Sequence, residues 1–443
     1  MTGPLDWTLA TVAASTGGVV DGDPSMRIHS VSTDSRSIVP GALFVAFRGE
    51  HHDGHDFAAT AMAAGAVAGV VERGAGLDIL PRVEVDDTGE ALIDLAAHRR
   101  IELTARVAAV TGSTGKTSTK NLLAAALPGS WSSPRSFNNE VGVPITVLTA
   151  PSDVESLVVE VGSRGLGHIR RLAPAVMPDV AVITNLGVVH LETFGTRDAI
   201  ADGKYELVEA LGEGGVAVMP DDEPRLARHH PGPTITFGYG AEADVRVTDI
   251  ELDERGRPRF MLHAGDSSVP VELSMSGVHH ALNAAAAAAA ALAFGHRLDE
   301  VAGRFAGVAG SPWRMEVHEG RITVVNDAYN ANPDSVLAAM ETVAAMPGPH
   351  IAVLGEMAEL GHVSDEEHGR VGRAARELGF AVITVGRDHG LADAAGGRNV
   401  ADQDEAVRIV SEEADDGSVV LVKASRAVGL ERLAGRLIEE ATA

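Results

Sequence analysis

The chain of 443 residues contains no cysteine. Disulfide staples and thiolate metal sites are therefore excluded, and the absence suits a reducing cytoplasm. Aromatic residues are scarce, at 4% of the chain. Lysine is scarcer still: of 36 basic residues, only Lys116, Lys120, Lys204 and Lys423 are lysines. Positive charge is in deficit overall, since 62 acidic residues leave a formal net charge of −26. A general nucleic-acid binder needs a basic face, so no nucleic-acid partner is expected. The acidity itself reads as a solvated surface. No strongly apolar run reaches the roughly 18 residues of a membrane span. The alanine run Ala284 to Ala291 reads instead as a buried, tightly packed helix. Met1-Thr-Gly-Pro-Leu-Asp6 lacks the basic-then-apolar order of a secretory signal. A cytoplasmic monomer without membrane insertion is the expectation.

What is present is a globular composition, 45% hydrophobic and 22% charged, with a length that suits two or three domains. The organising stretch is Val107-Ala-Ala-Val-Thr-Gly-Ser-Thr-Gly-Lys-Thr-Ser118. It reads as a short apolar strand, a loop over Gly112, Ser113, Thr114 and Gly115, and a helix from near Thr117. Backbone N–H groups of such a loop at a helix N-terminus form a concave anion site, to which Lys116 adds a mobile charge. Thr117 or Ser118 can offer a hydroxyl to Mg²⁺. Position 110 is Val where the pattern G-x-x-x-x-G-K-[ST] has its first glycine. A nucleoside triphosphate is the expected ligand. Lysine retained in an arginine-using chain marks places where arginine cannot serve, such as a compact ammonium or an amine that deprotonates and is modified.

Residues 1–100 read as a small α/β domain. Asp34, Ser35 and Arg36 there fit either a phosphate or sugar contact or a turn with a surface arginine. Strands are expected over 43–47 and 66–72, with a polar loop over 49–55 and a helix over 56–65. Residues 101–308 follow as a second domain, in which strands ending near Glu160 and Asn185 alternate with helices. Such alternation implies a mainly parallel sheet, whose ligands collect at the carboxyl ends of strands. Glu160 and His190 can thus approach the phosphates held by Lys116. Magnesium accepts nitrogen reluctantly, so His190 reads equally as a loop histidine. Lys204 falls on a helix expected over 196–211. The segment 137–146, with Asn138 and Asn139, reads as turn-rich before an apolar helix, and residues 234–275 as an antiparallel addition. From residue 309 a third domain is expected, with strands over 322–325, 351–354, 381–385 and 419–422. Three of its strand ends are polar: Asn326-Asp-Ala-Tyr-Asn-Ala-Asn332, Gly355-Glu-Met-Ala-Glu-Leu-Gly361 and Lys423-Ala-Ser-Arg426. Arg314, just inside that boundary, can reach across to the nucleotide.

These motifs, in this order and over nearly the whole chain, resemble the Mur ligase family. The loop Thr111-Gly-Ser-Thr-Gly-Lys-Thr117 has that family's usual form. Asn326 to Pro333, Gly355 to Gly361, Asp53 to Phe57 and Asn138 to Pro144 are similar to the member that joins D-alanyl-D-alanine to UDP-N-acetylmuramoyl-tripeptide. The resemblance implies an α/β fold of three domains: an N-terminal UDP-substrate domain, a central P-loop ATPase-type domain and a C-terminal Rossmann-like domain closing on ATP. It implies UDP-substrate contacts at Ser35, Arg36, Asn138 and Asn139. ATP would lie on residues 112–118, Asn283, Arg314, Asp327 and Asn330. The most demanding implication concerns metal: two Mg²⁺ ions on Thr117, Glu160, His190 and a carbamylated Lys204. The dipeptide would meet Lys423, Ser425 and Arg426. Lys116, Lys204, His190 and Glu160 would carry the chemistry. The chain departs from the family pattern at Pro220, His280 and Ala424. Two alternatives stay open, a relative using another amine donor and a nucleotide-dependent switch, although a switch does not require the cluster Glu160, His190 and Lys204.

Overall fold

The structure is a computed structural model that describes residues 5–49, 52–77, 79, 81–228, 230 and 232–442. Residues 1–4, where the absence of a leader was read, and positions 50 and 51 of the expected polar loop lie outside the described residues.

Three larger sheets organise the chain. The first has five strands in the spatial order Val19–Asp21, Arg82–Val85, Ala66–Glu72, Ala42–Val45 and Ser30–Ser32, with the first pair antiparallel and the others parallel. The helix expected over 56–65 is shorter, spanning Ala58–Ala63 after a 3₁₀ turn at Gly54–Phe57. Asp53 causes this tighter start, because its carboxylate accepts from the His55 N–H at 3.0 Å. Helix Thr88–Glu102, capped by Asp87, leads out of this sheet and packs against helices Gly142–Leu148 and His168–Val176. One apolar cluster therefore runs continuously from the first sheet into the second.

The second sheet has nine strands. Six of them, starting from the edge strand Ser130–Ser132 and continuing through Ser156–Glu160, Arg106–Thr111, Val180–Ile183, Val216–Pro220 and Thr234–Gly238, are parallel in that spatial order. Their near-continuous apolar sequences reflect burial on both faces. Val107 and Ala109 enter one core while Ala108 and Val110 enter the other, as the twofold strand period requires. The antiparallel addition begins later than expected. Thr234–Gly238 and Val245–Leu252 still run parallel, and only Pro258–Ala264 reverses direction, pairing antiparallel with Val245–Leu252 on one side and Ser267–Glu272 on the other. The connection over residues 239–244 misleads because parallel neighbours usually need a longer crossover.

The alanine run lies in helix His280–Ala293, and residues 284–291 are fully buried between the sheet and helix Lys116–Ala126. Alanine is required because the two helices approach closely. Ala288→Leu is expected to destabilise the protein by about 1–3 kcal/mol through overpacking. Urea unfolding would check it, and an unchanged midpoint would count against tight packing there.

The third sheet has six strands in the order Glu316–His318, Thr323–Asn326, Val419–Lys423, His350–Gly355, Ala381–Val385 and Arg398–Val400, parallel except for the first. The last strand of the chain is inserted between the second and third. The three polar strand ends at Asn326, Lys423 and Gly355 thereby become neighbours. Among the described residues, no helix is long and apolar enough to cross a membrane.

Candidate active site

A cavity of about 1260 Å³ opens between the carboxyl ends of the second and third sheets. Its floor is the glycine-rich loop. Gly112 and Gly115 have φ of +146° and +76°, backbone conformations that side chains rarely adopt. A Cβ at Gly112 would collide with Thr184 Oγ1, and one at Gly115 with Asn283 Oδ1. Gly115 caps helix Lys116–Ala126 without a side-chain bond, which leaves the first helical N–H groups for a ligand. Asn185 braces the loop by accepting from the Thr114 N–H at 2.8 Å, while Ser113 Oγ donates to Gly187 O at 3.0 Å.

Lys116 folds back over this loop, its ammonium donating to Gly112 O at 2.6 Å and Ser113 O at 3.1 Å. Burial lowers its pKa to about 8, opposed by the nearby Glu160 carboxylate and assisted by Arg314. Glu160 ends the strand beside the loop strand and is almost wholly buried. Its carboxylate accepts from Thr117 Oγ1 at 2.9 Å and from Asn138 Nδ2 at 2.7 Å. Arg314 does reach across from the third sheet's segment, donating to Thr117 Oγ1 at 3.2 Å and Ser136 Oγ at 3.3 Å. Its guanidinium lies 3.9 Å from the centre of the Tyr329 ring, which orients it.

The other expected residues divide into those that line the cavity and those that do not. Ser118, Asn138, Asn139, His190, Asp327, Asn330, Lys423, Ser425 and Arg426 line it. Ser35 and Arg36 do not. Arg36 forms a two-bond pair with Asp34 in an exposed 3₁₀ turn, so of the two readings of this segment the geometry is that of a turn with a surface arginine. Gly112, Asn283 and Lys204 stand behind the lining. Asn283 Nδ2 is 3.1 Å from His280 Nδ1, so the departure at His280 supports this asparagine. Ala424 is buried and faces Gly355 inside the third core. Lys423 bonds to Asp327 at 2.6 Å and to Asn330 O at 2.9 Å. Its charge thus meets two residues expected near ATP, and it lines the cavity beside Ser425 and Arg426.

The donor set suits magnesium only in part without a nucleotide. Among the described residues, no three His, Asp or Glu side chains converge as a metal cage. Thr117 and Glu160 are in direct contact, but His190 Nδ1 is bonded to Glu359 instead. A hydroxyl and one carboxylate match a magnesium ion that takes its remaining ligands from phosphates and water. Lys204 is buried, with Nζ 3.4 Å from Ser163 O, and burial beside Lys116 holds its pKa far below that of a free lysine.

Residues outside the expected set also line the cavity, among them Ser136, Arg164, His168, Arg171, His279, Tyr329 and Glu359. His279 Nδ1 is buried without a partner and so remains available to a ligand. Lys120, flagged only by the rarity of lysine, donates to Ser133 O at 2.6 Å and Arg135 O at 2.7 Å, fixing the segment that carries Ser136 and Asn138. All four lysines of the chain therefore lie in or directly behind this one site.

Comparison with known proteins agrees with that layout. Family models described as the Mur ligase catalytic domain, the Mur ligase middle domain and the Mur glutamate ligase domain match residues 27–110, 110–291 and 313–426. The chain is 37% identical to the UDP-N-acetylmuramoyl-tripeptide–D-alanyl-D-alanine ligase of Mycobacterium tuberculosis, with 99% of each covered. It is 34% identical to the ligase of the same name from Escherichia coli, covering 98% of this chain and 99% of that one. A crystal structure of MurF from Acinetobacter baumannii superposes with a TM-score of 0.90 at 32% identity, over 98% of this chain and 100% of the other. MurF from Thermotoga maritima in complex with ADP superposes with a TM-score of 0.84 at 31% identity, over 93% and 97%. Matched by these family models and relatives along nearly its full length, the chain that builds this cavity belongs to the Mur ligase family.

Proposed function

We propose that this enzyme joins D-alanyl-D-alanine to UDP-N-acetylmuramoyl-tripeptide at the expense of ATP, in the cytoplasm, in the synthesis of a cell-wall precursor. The observation carrying this reading is that phosphate-loop groups and the third sheet's polar strand ends line a single cavity. A carboxylate is a poor acyl donor at neutral pH, so a phosphate loop facing an amine site suits activation followed by condensation. In the first step a carboxylate oxygen of the tripeptide attacks the γ-phosphorus and ADP leaves. In the second, the dipeptide amine attacks the acyl phosphate carbon, and the tetrahedral adduct expels phosphate as the nitrogen loses a proton. Lys116 and the loop amides offset charge on the transferring group. Magnesium would be held by Thr117 and Glu160 with His190, and would supply further charge neutralisation on phosphate oxygens. Arg314, Asp327 and Asn330 orient the nucleotide, Asn138 and Asn139 the tripeptide, and Ser425 and Arg426 the dipeptide. Water is excluded from the acyl phosphate by the third domain over the cavity. A carbamylated Lys204 adds an anion behind Lys116 and serves a second magnesium.

The test is phosphate release with ATP and UDP-N-acetylmuramoyl-tripeptide, with and without D-alanyl-D-alanine. Release that needs both, with a product heavier by the dipeptide, is expected. Release supported only by another amine donor would move the substrate assignment, and release supported by none would end the ligase reading.

The state of Lys116 sets a pH dependence. The free enzyme holds the ammonium below about pH 8 and loses it above. Its kcat/KM for ATP is therefore expected to fall as pH rises through about 8. Bound phosphates favour the charged form, so kcat should fall only at higher pH. Identical profiles for the two parameters would remove Lys116 as the titrating group.

A further inference from the structure

Glu359 has no role in the reading above, yet it joins two parts of the site. It lies in the turn after strand His350–Gly355, and its carboxylate is bonded to His190 Nδ1. Both residues have left-handed backbone, with φ of +64° at Glu359 and +51° at His190. Such conformations are costly for residues with a Cβ and persist where the surroundings impose them. The surroundings here are specific. The Glu192 N–H donates to Glu359 O at 3.3 Å, and a Cβ on Gly361 would lie 3.3 Å from Glu192 Cα. Beneath this contact Val188, Leu191 and Phe194 share one apolar cluster with Met315, Met357 and Leu360. Phe194 in turn lies against Gly203, and Lys204 Nζ is 5.9 Å from the centre of its ring.

The short helix Leu191–Phe194 thus has His190 at its start and Lys204 packed at its end, and the third domain grips it. A half-exposed pair such as His190–Glu359 adds little to stability, so its value lies in orientation. An ionised carboxylate only accepts hydrogen bonds, so the proton of a neutral imidazole sits on Nδ1 and Nε2 keeps its lone pair. Histidines that hold metals are commonly oriented in this way by a carboxylate on the other nitrogen.

We propose that Glu359 is a positioning residue that sets the tautomer and orientation of His190 across the domain boundary, so that the metal side of the site is complete only when the third domain is seated. The proposal rests on the ligase reading for its consequence in turnover but not for its structural content. The first readout is ¹⁵N-histidine NMR of the full-length, metal-free protein, with His190→Gln used to assign the signal. Wild type should show a protonated Nδ1 and an unprotonated Nε2 at His190. Glu359→Leu should lose that preference, and Glu359→Gln, which keeps an accepting oxygen, should retain it. The second readout is the KM for Mg²⁺ in ATP-dependent ligation. It should rise about 10–100-fold in Glu359→Leu and less in Glu359→Gln, with KM for D-alanyl-D-alanine unchanged. An unaltered His190 tautomer in Glu359→Leu would overturn the proposal. So would a lower KM for Mg²⁺, which would mean that the carboxylate competes for His190. If Glu359→Leu does not fold, loss of the tautomer preference in Glu359→Gln overturns it. If the wild type ligates nothing, the functional reading fails while the NMR comparison still decides the role of Glu359.

Discussion

Lys116→Ala is expected to lower ATP-dependent phosphate release about 10³-fold, the scale seen when one preorganised donor to a transition-state oxyanion is removed. The side chain is tethered at Gly112 O and Ser113 O, so the loop itself holds its ammonium at the phosphate site. Little reorganisation then opposes transfer, and the loss should fall mainly on kcat. Folding should be preserved, because the loop conformation is set by Gly112, Gly115 and the Asn185 brace rather than by the lysine. Pre-steady-state measurement of ADP formation isolates the phosphate-transfer step. An unchanged rate for that step would remove Lys116 from the chemistry.

Lys204→Arg is expected to lower turnover about 100-fold or more, the equivalent of several kcal/mol of charge stabilisation. Charge type is conserved in this change, so a purely cationic role predicts a mild effect. Burial, with the Lys116 charge beside it, pushes the amine's pKa well down and so favours the neutral form that attacks CO₂. The neutral nitrogen bonds to the CO₂ carbon and loses one proton, which leaves an anionic carbamate. Arginine stays protonated and cannot follow this route. Labelling with ¹³C-bicarbonate should give a carbamate carbon signal in wild type that is absent from Lys204→Arg. Lack of that signal in active wild-type enzyme would end the carbamate idea, even if the arginine variant fails to fold.

The site was unevenly legible in the sequence. The loop residues 112–118 were found because their chemistry is local: glycines that permit positive φ, a helix start and a lysine within a few positions. Glu160 was found because a carboxylate ending an apolar strand is a recurrent ligand position in parallel sheets. Arg36 was not settled, since a pattern alone does not say whether a guanidinium meets a substrate or the aspartate two residues away. The bond that Lys423 makes was hidden for a related reason. Its partner Asp327 lies 96 positions earlier, and only strand order brings the two together. Glu359 stood in a quoted motif without a role, because its contact with His190 crosses between two sheets.

The sequence by itself determined the parallel α/β character, the phosphate loop and the few places where lysine could not be exchanged for arginine. Each is set by short-range rules of backbone freedom, strand period and side-chain chemistry. Tertiary structure alone decided that the strand Val419–Lys423 enters between Thr323–Asn326 and His350–Gly355, which makes three distant polar segments neighbours. It also decided that Arg314 meets Thr117, 197 positions away. Contacts of that span depend on how whole sheets bury their apolar faces against one another, and no local pattern of residues encodes which loop ends that burial will bring together.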